Sequence, residues 1–380
     1  MVFREEIVYM NTKPEFHGSD LEKVSEYYHV PLESIVNFGS NVNPLGLSAT
    51  VKEQLISNLD LACSTYPDRD YKSLRSAIAA YCNVPMEHIV VGNGSTEMIS
   101  LVIEQVYPKK AMLLGPTYSE YSRELSLTNA SQEEYHLKAS NYFQLDLADF
   151  FQALDQSFDM LILCNPNNPT SSALKVQELV SILEYCQKQN IFVMIDETYV
   201  EFAPDISGIS AVSLTDQFQN LMVLRGVSKF YAAPGLRLGY GISGNPELLF
   251  KLSVLQNPWS LNHVGALAGE FFFSDKDYIK KTRDLIHSER IRIRKETEHI
   301  EGLKVYDAYA NFFLMELTRP TDHSGDLFEF CIRRGLMIRD CSSFKSLNGE
   351  FFRFCILNPE DNNRLLQSIK DYLSRSASPQ

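Results

Sequence analysis

The 380-residue chain is short of the features that mark membrane, secreted or metal-bound proteins. No apolar run approaches the ~20 residues needed to cross a bilayer. The opening MVFREEIVYMNTKPEF has neither an apolar core of signal-peptide length nor a small-residue cleavage site. Seven cysteines are scattered and never form a CxxC, which reads as reduced thiols and a cytoplasmic location. Eight histidines show no metal-ligand spacing and no HExxH, so no metal is expected. Basic residues are scarce: 35 Lys+Arg against 48 Asp+Glu give a net charge of −13. Such a chain repels nucleic acid and anionic membranes, and it can hold a small anion only through a local cluster of cations. Neither a GxxxxGK[ST] loop nor a full GxGxxG is present, which leaves nucleotide folds without support.

The composition is that of a globular protein, 44% hydrophobic and 22% charged, and the length suits two domains or three. There is no internal repeat, and only Ser374–Gln380 reads as a frayed tail. Short apolar runs at Ile89–Val91, Ala111–Leu114, Met160–Cys164, Ile191–Ile195, Leu221–Leu224 and Leu238–Ile242 alternate with helical patterns or loops. Buried strands separated by helices predict an α/β domain with a largely parallel sheet. Beyond about Lys280 a charged helix (Tyr278–Glu301) leads into short strands and two more helices, a small α+β domain. The basic stretch Arg290–Lys295 lies among Glu289, Glu296 and Glu298, which predicts a solvated helix face.

Open α/β sheets bind ligands at the carboxyl ends of their strands, so the residues following each strand carry the chemistry. After Ile89–Val91 comes Gly92-Asn93-Gly94-Ser95-Thr96-Glu97, where Ser95 or Thr96 is expected to cap a helix. From this segment alone, an anion cradle and a plain capping box read equally well. After Met160–Cys164 comes Asn165-Pro166-Asn167-Asn168-Pro169-Thr170, a rigid loop rich in hydrogen-bonding groups. After Ile191–Ile195 comes Asp196-Glu197-Thr198-Tyr199, and a carboxylate there is costly unless it meets a cation. After Leu221–Leu224 comes Arg225-Gly226-Val227-Ser228-Lys229, with Arg237 eight residues on. A lysine in a dry pocket is a Schiff-base nucleophile, although a lone one also suits the surface.

The order of these signals resembles the fold type I pyridoxal-phosphate enzymes of the class I/II aminotransferase group, across essentially the whole chain. The resemblance implies a large domain (46–280) built on a mostly parallel seven-stranded sheet between helices. It also implies an N-terminal arm that forms part of the small domain (1–45), and a C-terminal small α+β domain (281–380). By the same resemblance Lys229, in SKFYAAPGLRLGY, anchors pyridoxal 5'-phosphate, Asp196 pairs with the ring nitrogen, and Tyr199 and Asn168 bond its phenolic oxygen. Gly94, Ser95, Thr96, Ser228 and Arg237 match the phosphate contacts, and Tyr118 matches the stacking aromatic. Tyr66, in YPDRDY, matches a tyrosine that reaches the neighbouring subunit's cofactor, which implies a homodimer. Arg353 matches the arginine that grips the substrate carboxylate. Two positions depart from the pattern: Gly226 replaces a Ser or Thr hydroxyl, and Ser171 replaces the glycine of NPTG.

The ends of the chain bear on the reaction. His17-Gly18-Ser19-Asp20, Ser40-Asn41-Val42-Asn43-Pro44-Leu45-Gly46 and Ile338-Arg339-Asp340-Cys341 resemble segments of threonine-phosphate decarboxylases. Histidinol-phosphate aminotransferases resemble the middle of the chain. Arg339 and Arg353, with His17, Ser40, Asn41 and Asn168, are thus expected to hold a substrate with a carboxylate and a phosphate. The expected reaction is decarboxylation of threonine phosphate or serine phosphate. An aminotransferase is the alternative, and a non-catalytic ligand-sensing domain a distant one.

Overall fold

The computed structural model describes residues 16–375. Of the regions read from sequence, 1–15 and 376–380 lie outside the described residues, while Ser374 and Arg375 close the last helix, Pro359–Arg375.

Seven strands form the main sheet: β1 (Ile89–Gly92), β2 (Lys110–Gly115), β3 (Ser131–His136), β4 (Met160–Cys164), β5 (Phe192–Asp196), β6 (Leu221–Gly226) and β7 (Gly239–Ile242). Their spatial order is β1-β7-β6-β5-β4-β2-β3, and all run parallel except β7. Leu161, Leu163, Val193 and Ile195 pack into one apolar cluster, whereas Met160, Ile162 and Met194 pack into another. Alternate residues of one strand thus meet helices on opposite faces, which is why these strands read as continuous apolar runs. All six expected strands form. The seventh, β3, escapes detection because SQEEYH is polar: it is an edge strand, and charge on an edge blunts further pairing.

The C-terminal part has the expected α+β texture. Helix Lys276–Thr297 precedes β8 (Leu303–Val305), β9 (Phe312–Leu317), β10 (Arg339–Asp340) and β11 (Phe351–Cys355), an antiparallel sheet in the order β10-β11-β9-β8. Val36–Asn37 pairs in parallel with Leu336–Met337, so the N-terminal segment enters this same region.

One reading of the long helix is corrected. Arg290 is buried rather than solvated: its guanidinium donates to the Phe202 carbonyl at 2.6 Å and the Ala310 carbonyl at 2.9 Å. The glutamate neighbours are satisfied separately, Glu289 and Glu296 both by Arg292. Ser171 takes the left-handed φ of +60° that glycine would favour, and its Oγ accepts from the Ala310 amide at 3.0 Å. The Asn-rich loop and the C-terminal part are thereby tied together, a contact that glycine could not make.

Beneath the sheet edge Glu197 accepts from the Arg225 guanidinium at 2.7 and 3.0 Å, and from the Ser210 hydroxyl and the Ala211 amide. Both charges are sealed from water. Removing one partner of such a pair strands the other. Arg225→Met is therefore expected to lower stability by about 3–5 kcal/mol in urea denaturation. Arg225→Met combined with Glu197→Leu should recover most of that loss.

Candidate active site

At the carboxyl ends of β4, β5 and β6 the chain encloses a cavity of about 490 Å³. Of the residues singled out from sequence, His17, Ser40, Asn41, Ser95, Thr96, Tyr118, Asn168, Asp196, Tyr199, Ser228, Lys229, Arg237, Arg339 and Arg353 all line it. Gly94 lies just behind, under Arg237. Tyr66 is apart from the cavity of its own chain: it is 79% exposed and packs on Trp259, with ring centroids 5.0 Å apart.

Three glycines shape one wall. Gly92, Gly239 and Gly226 stand in register across β1, β7 and β6. A Cβ on Gly239 would sit 2.3 Å from the Gly94 carbonyl carbon and the Ser95 nitrogen, so only glycine lets helix Gly94–Val106 come down on the sheet. Gly94 itself has φ of +87°, and a Cβ there would meet the Arg237 guanidinium at 2.3 Å. The helix start and a guanidinium thus converge, a geometry that receives anions. Ser95 and Thr96 do not cap this helix. The N-cap position is Asn93, with no side-chain cap bond, and the Glu97 carboxylate accepts from its amide at 2.5 Å. Ser95 and Thr96 instead occupy the first helical turn and face the cavity. At Gly226 a Cβ would press on the Leu238 carbonyl at 3.3 Å and only touch the Ser95 Cβ at 3.7 Å.

Asp196 ends β5 and is buried, and among the described residues its carboxylate is held by neutral donors. Its carboxylate accepts from the Tyr121 hydroxyl at 2.7 Å and from the Thr198 hydroxyl and amide at 2.6 and 2.9 Å. Burial raises its pKa, and these hydrogen bonds oppose the rise. The cation goes to the next residue, Glu197, through Arg225. Neither Tyr121 nor Thr198 was singled out from sequence. Tyr121 could have been found from its i+3 spacing to Tyr118 in GPTYSEY, and Thr198 from its place two residues after an aspartate.

Lys229 is half-buried in the cavity wall, where its Nζ donates to the Ser40 carbonyl at 2.6 Å. Its pKa is lowered to about 8, first by burial and then by the Arg353 and Arg237 guanidiniums. The Ser40–Asn41 turn is fixed by Asn41, buried at φ of +57°, whose amide donates to the Tyr199 hydroxyl at 3.3 Å. From β11 Arg353 reaches across to the Asn168 side chain and donates to the Gly39 carbonyl at 2.9 Å. Arg339 donates to the Phe16 carbonyl and, at 2.8 Å, to the Ser343 hydroxyl. Beside it His17 has its pKa lowered by burial and by Arg339.

A depressed lysine and a buried strand-end carboxylate thus share one cavity with an arginine-backed helix start, on the fold of the fold type I enzymes. The chain belongs to the aminotransferase class I and II family, whose sequence profile matches residues 33–369. It is 32% identical over 358 residues to a threonine-phosphate decarboxylase of Salmonella typhimurium, covering 94% of this chain and 96% of that one. It is also 30% identical over 379 residues to a histidinol-phosphate aminotransferase of Methanopyrus kandleri, covering 96% and 95% of the two chains. Its fold matches the crystal structure of a histidinol-phosphate aminotransferase from Sinorhizobium meliloti in complex with pyridoxal-5'-phosphate, with a TM-score of 0.83, 17% identity and 99% of each chain covered.

Since Arg353 and Arg237 both disfavour the Lys229 ammonium, Arg353→Met should move the lysine's titration upward from about 8. It should stay below the ordinary ~10.4, because burial persists. The pH dependence of Lys229 condensation with a small aldehyde, trapped by borohydride, reads this shift directly.

Proposed function

We propose that this chain is a pyridoxal-phosphate-dependent decarboxylase of an O-phospho-L-amino acid. Its substrate is L-threonine O-3-phosphate or L-serine O-phosphate, and its product an amino-alcohol phosphate for a corrinoid linker. The observation that carries this reading is the presence of two substrate-side guanidiniums, Arg353 and Arg339, in the cavity that holds Lys229 and Asp196. Two separate cations suit a substrate with both a carboxylate and a phosphate.

The donor set fits pyridoxal phosphate. The Arg237 guanidinium lies against Gly94, where a Cβ would not fit, and Ser95, Thr96 and Ser228 line the same cavity, so an anion there would meet a guanidinium, a helix start and three hydroxyls. Lys229 would hold the cofactor covalently, Asp196 would face its ring nitrogen, Tyr199 and Asn168 its phenolic oxygen, and Tyr118 its ring. When bound, pyridoxal phosphate supplies the electron sink for carbanion chemistry at the substrate's α-carbon. Arg353 would grip the α-carboxylate, with Asn168 holding the guanidinium in place, and Arg339 and His17 would receive the phosphate. Lys229, with a pKa of about 8, can hold or deliver a proton at the α-carbon near neutral pH. Ser40 positions the lysine through its carbonyl, and Asn41 positions Tyr199. One methyl in an apolar pocket discriminates by only ~1–3 kcal/mol, so the choice between the two substrates rests on measurement.

We also place the chain in a homodimer of the cytoplasm. Ile56, Leu59 and Leu61 on helix Ala49–Ser64, and Tyr66 just beyond it, are large apolar side chains left exposed, as a subunit interface leaves them in a lone protomer. Tyr66 would then serve the partner's cavity. The seven free cysteines suit a reducing compartment, and no described helix is long and apolar enough to cross a membrane.

Purified enzyme with pyridoxal phosphate should release CO2 from O-phospho-L-threonine or O-phospho-L-serine with no 2-oxo acid present. Lys229→Ala should lower the rate by at least ~10²-fold. Activity confined to histidinol phosphate plus 2-oxoglutarate would instead make the chain an aminotransferase.

A further inference from the structure

The cavity holds two charged residues that neither the sequence reading nor the proposed function uses, Glu134 and Lys345. Glu134 stands on the edge strand β3, paired in register with Leu113 of β2. Its carboxylate folds over Gly115, where a Cβ would lie 1.9 Å from its Oε1. A side chain at that position would have to displace the Glu134 carboxylate from its present place. Lys345 comes from the opposite side, on the segment between β10 and β11.

The two meet loosely. Lys345 Nζ is 3.5 Å from Glu134 Oε2, and His136 Nδ1 is 3.6 Å from Oε1, both beyond a good hydrogen bond. The Glu134 side chain is only 10% exposed, whereas that of Lys345 is 68% exposed. An ordinary surface ion pair has both partners in water and contributes little. Here one partner is nearly buried beside an anion-binding cavity, and the other is free to swing. Of the other cations there, Lys229 donates to the Ser40 carbonyl, Arg237 to the Pro234 carbonyl, Arg353 to Asn168 and Gly39, and Arg339 to Phe16 and Ser343.

We propose that Lys345 is a ligand of the substrate phosphate, held in waiting by Glu134 and surrendered when a phosphate dianion enters. This assignment rests on the phosphorylated-substrate reading above and adds a selecting device to it. Lysine suits the role, since it carries three rotatable donors on a flexible four-carbon stem. A phosphorylated ligand draws Lys345 off Glu134. A ligand without phosphate leaves the pair closed and meets the Glu134 carboxylate, so selectivity comes from a repulsive element as well as an attractive one.

Calorimetric titration of holoenzyme with phosphoethanolamine tests this apart from the reaction, because that probe has no carboxylate to lose. Lys345→Met should weaken binding by about tenfold, the worth of one charge-assisted hydrogen bond. Glu134→Gln should tighten it, and by at least roughly threefold more when Lys345 is present than in the double variant. Both substitutions are conservative in shape, and Lys345 is exposed, so folding is not at stake. Unchanged binding by Lys345→Met overturns the assignment alone. Equal tightening by Glu134→Gln with or without Lys345 overturns the exchange. No binding by the unmodified enzyme overturns both this inference and the phosphorylated-substrate reading.

Discussion

Asp196 ends a strand buried on both faces, and Tyr121 and Thr198 hold its carboxylate with neutral donors only. A carboxylate buried in this way is pushed toward its protonated form unless a cation reaches it. Its neighbour Glu197, which does not line the cavity, already has the buried Arg225 guanidinium. On the function proposed above, the cation that reaches Asp196 would be the ring nitrogen of pyridoxal phosphate.

The opposite side of the cavity is built from cations that repel one another. Lys229 loses its proton more readily because burial desolvates it and because Arg353 and Arg237 are near. Arg237 and Arg353 donate to neutral acceptors, Arg237 to the Pro234 carbonyl and Arg353 to the Gly39 carbonyl and the Asn168 amide oxygen. Such a constellation forms only when the two sheets dock. Arg353 comes from β11 and meets Asn168 from the loop after β4, and Ser171 and Arg290 clamp the same junction through Ala310. On the proposed function, an incoming carboxylate or phosphate would relieve part of that repulsion.

The main sheet was legible because parallel strands covered on both faces must be apolar along their whole length. Met160–Cys164 and Leu221–Leu224 could hardly be anything else. β3 was illegible for the converse reason, since an edge strand is free to carry Glu133 and Glu134. The site residues were legible as strand-end strings, each weak alone and informative in order. Tyr121, Thr198, Glu134 and Lys345 were missed because their roles arise from packing: a helical turn, a local turn and two segments brought together by the docking of the sheets. The burial of Arg290 was missed for the same kind of reason. Flanking glutamates signal a wet helix face, yet the carbonyls of Phe202 and Ala310 that desolvate this arginine are 88 and 20 residues away in sequence.

The central claim is that the substrate loses its carboxylate and keeps its nitrogen. Incubation with 15N-labelled O-phospho-L-threonine or O-phospho-L-serine, in the presence of 2-oxoglutarate, follows the nitrogen directly by mass spectrometry. The account predicts that all the label stays in an amino-alcohol phosphate lighter than the substrate by one CO2. Label appearing in glutamate, with the carbon skeleton intact as an oxo acid, would contradict it.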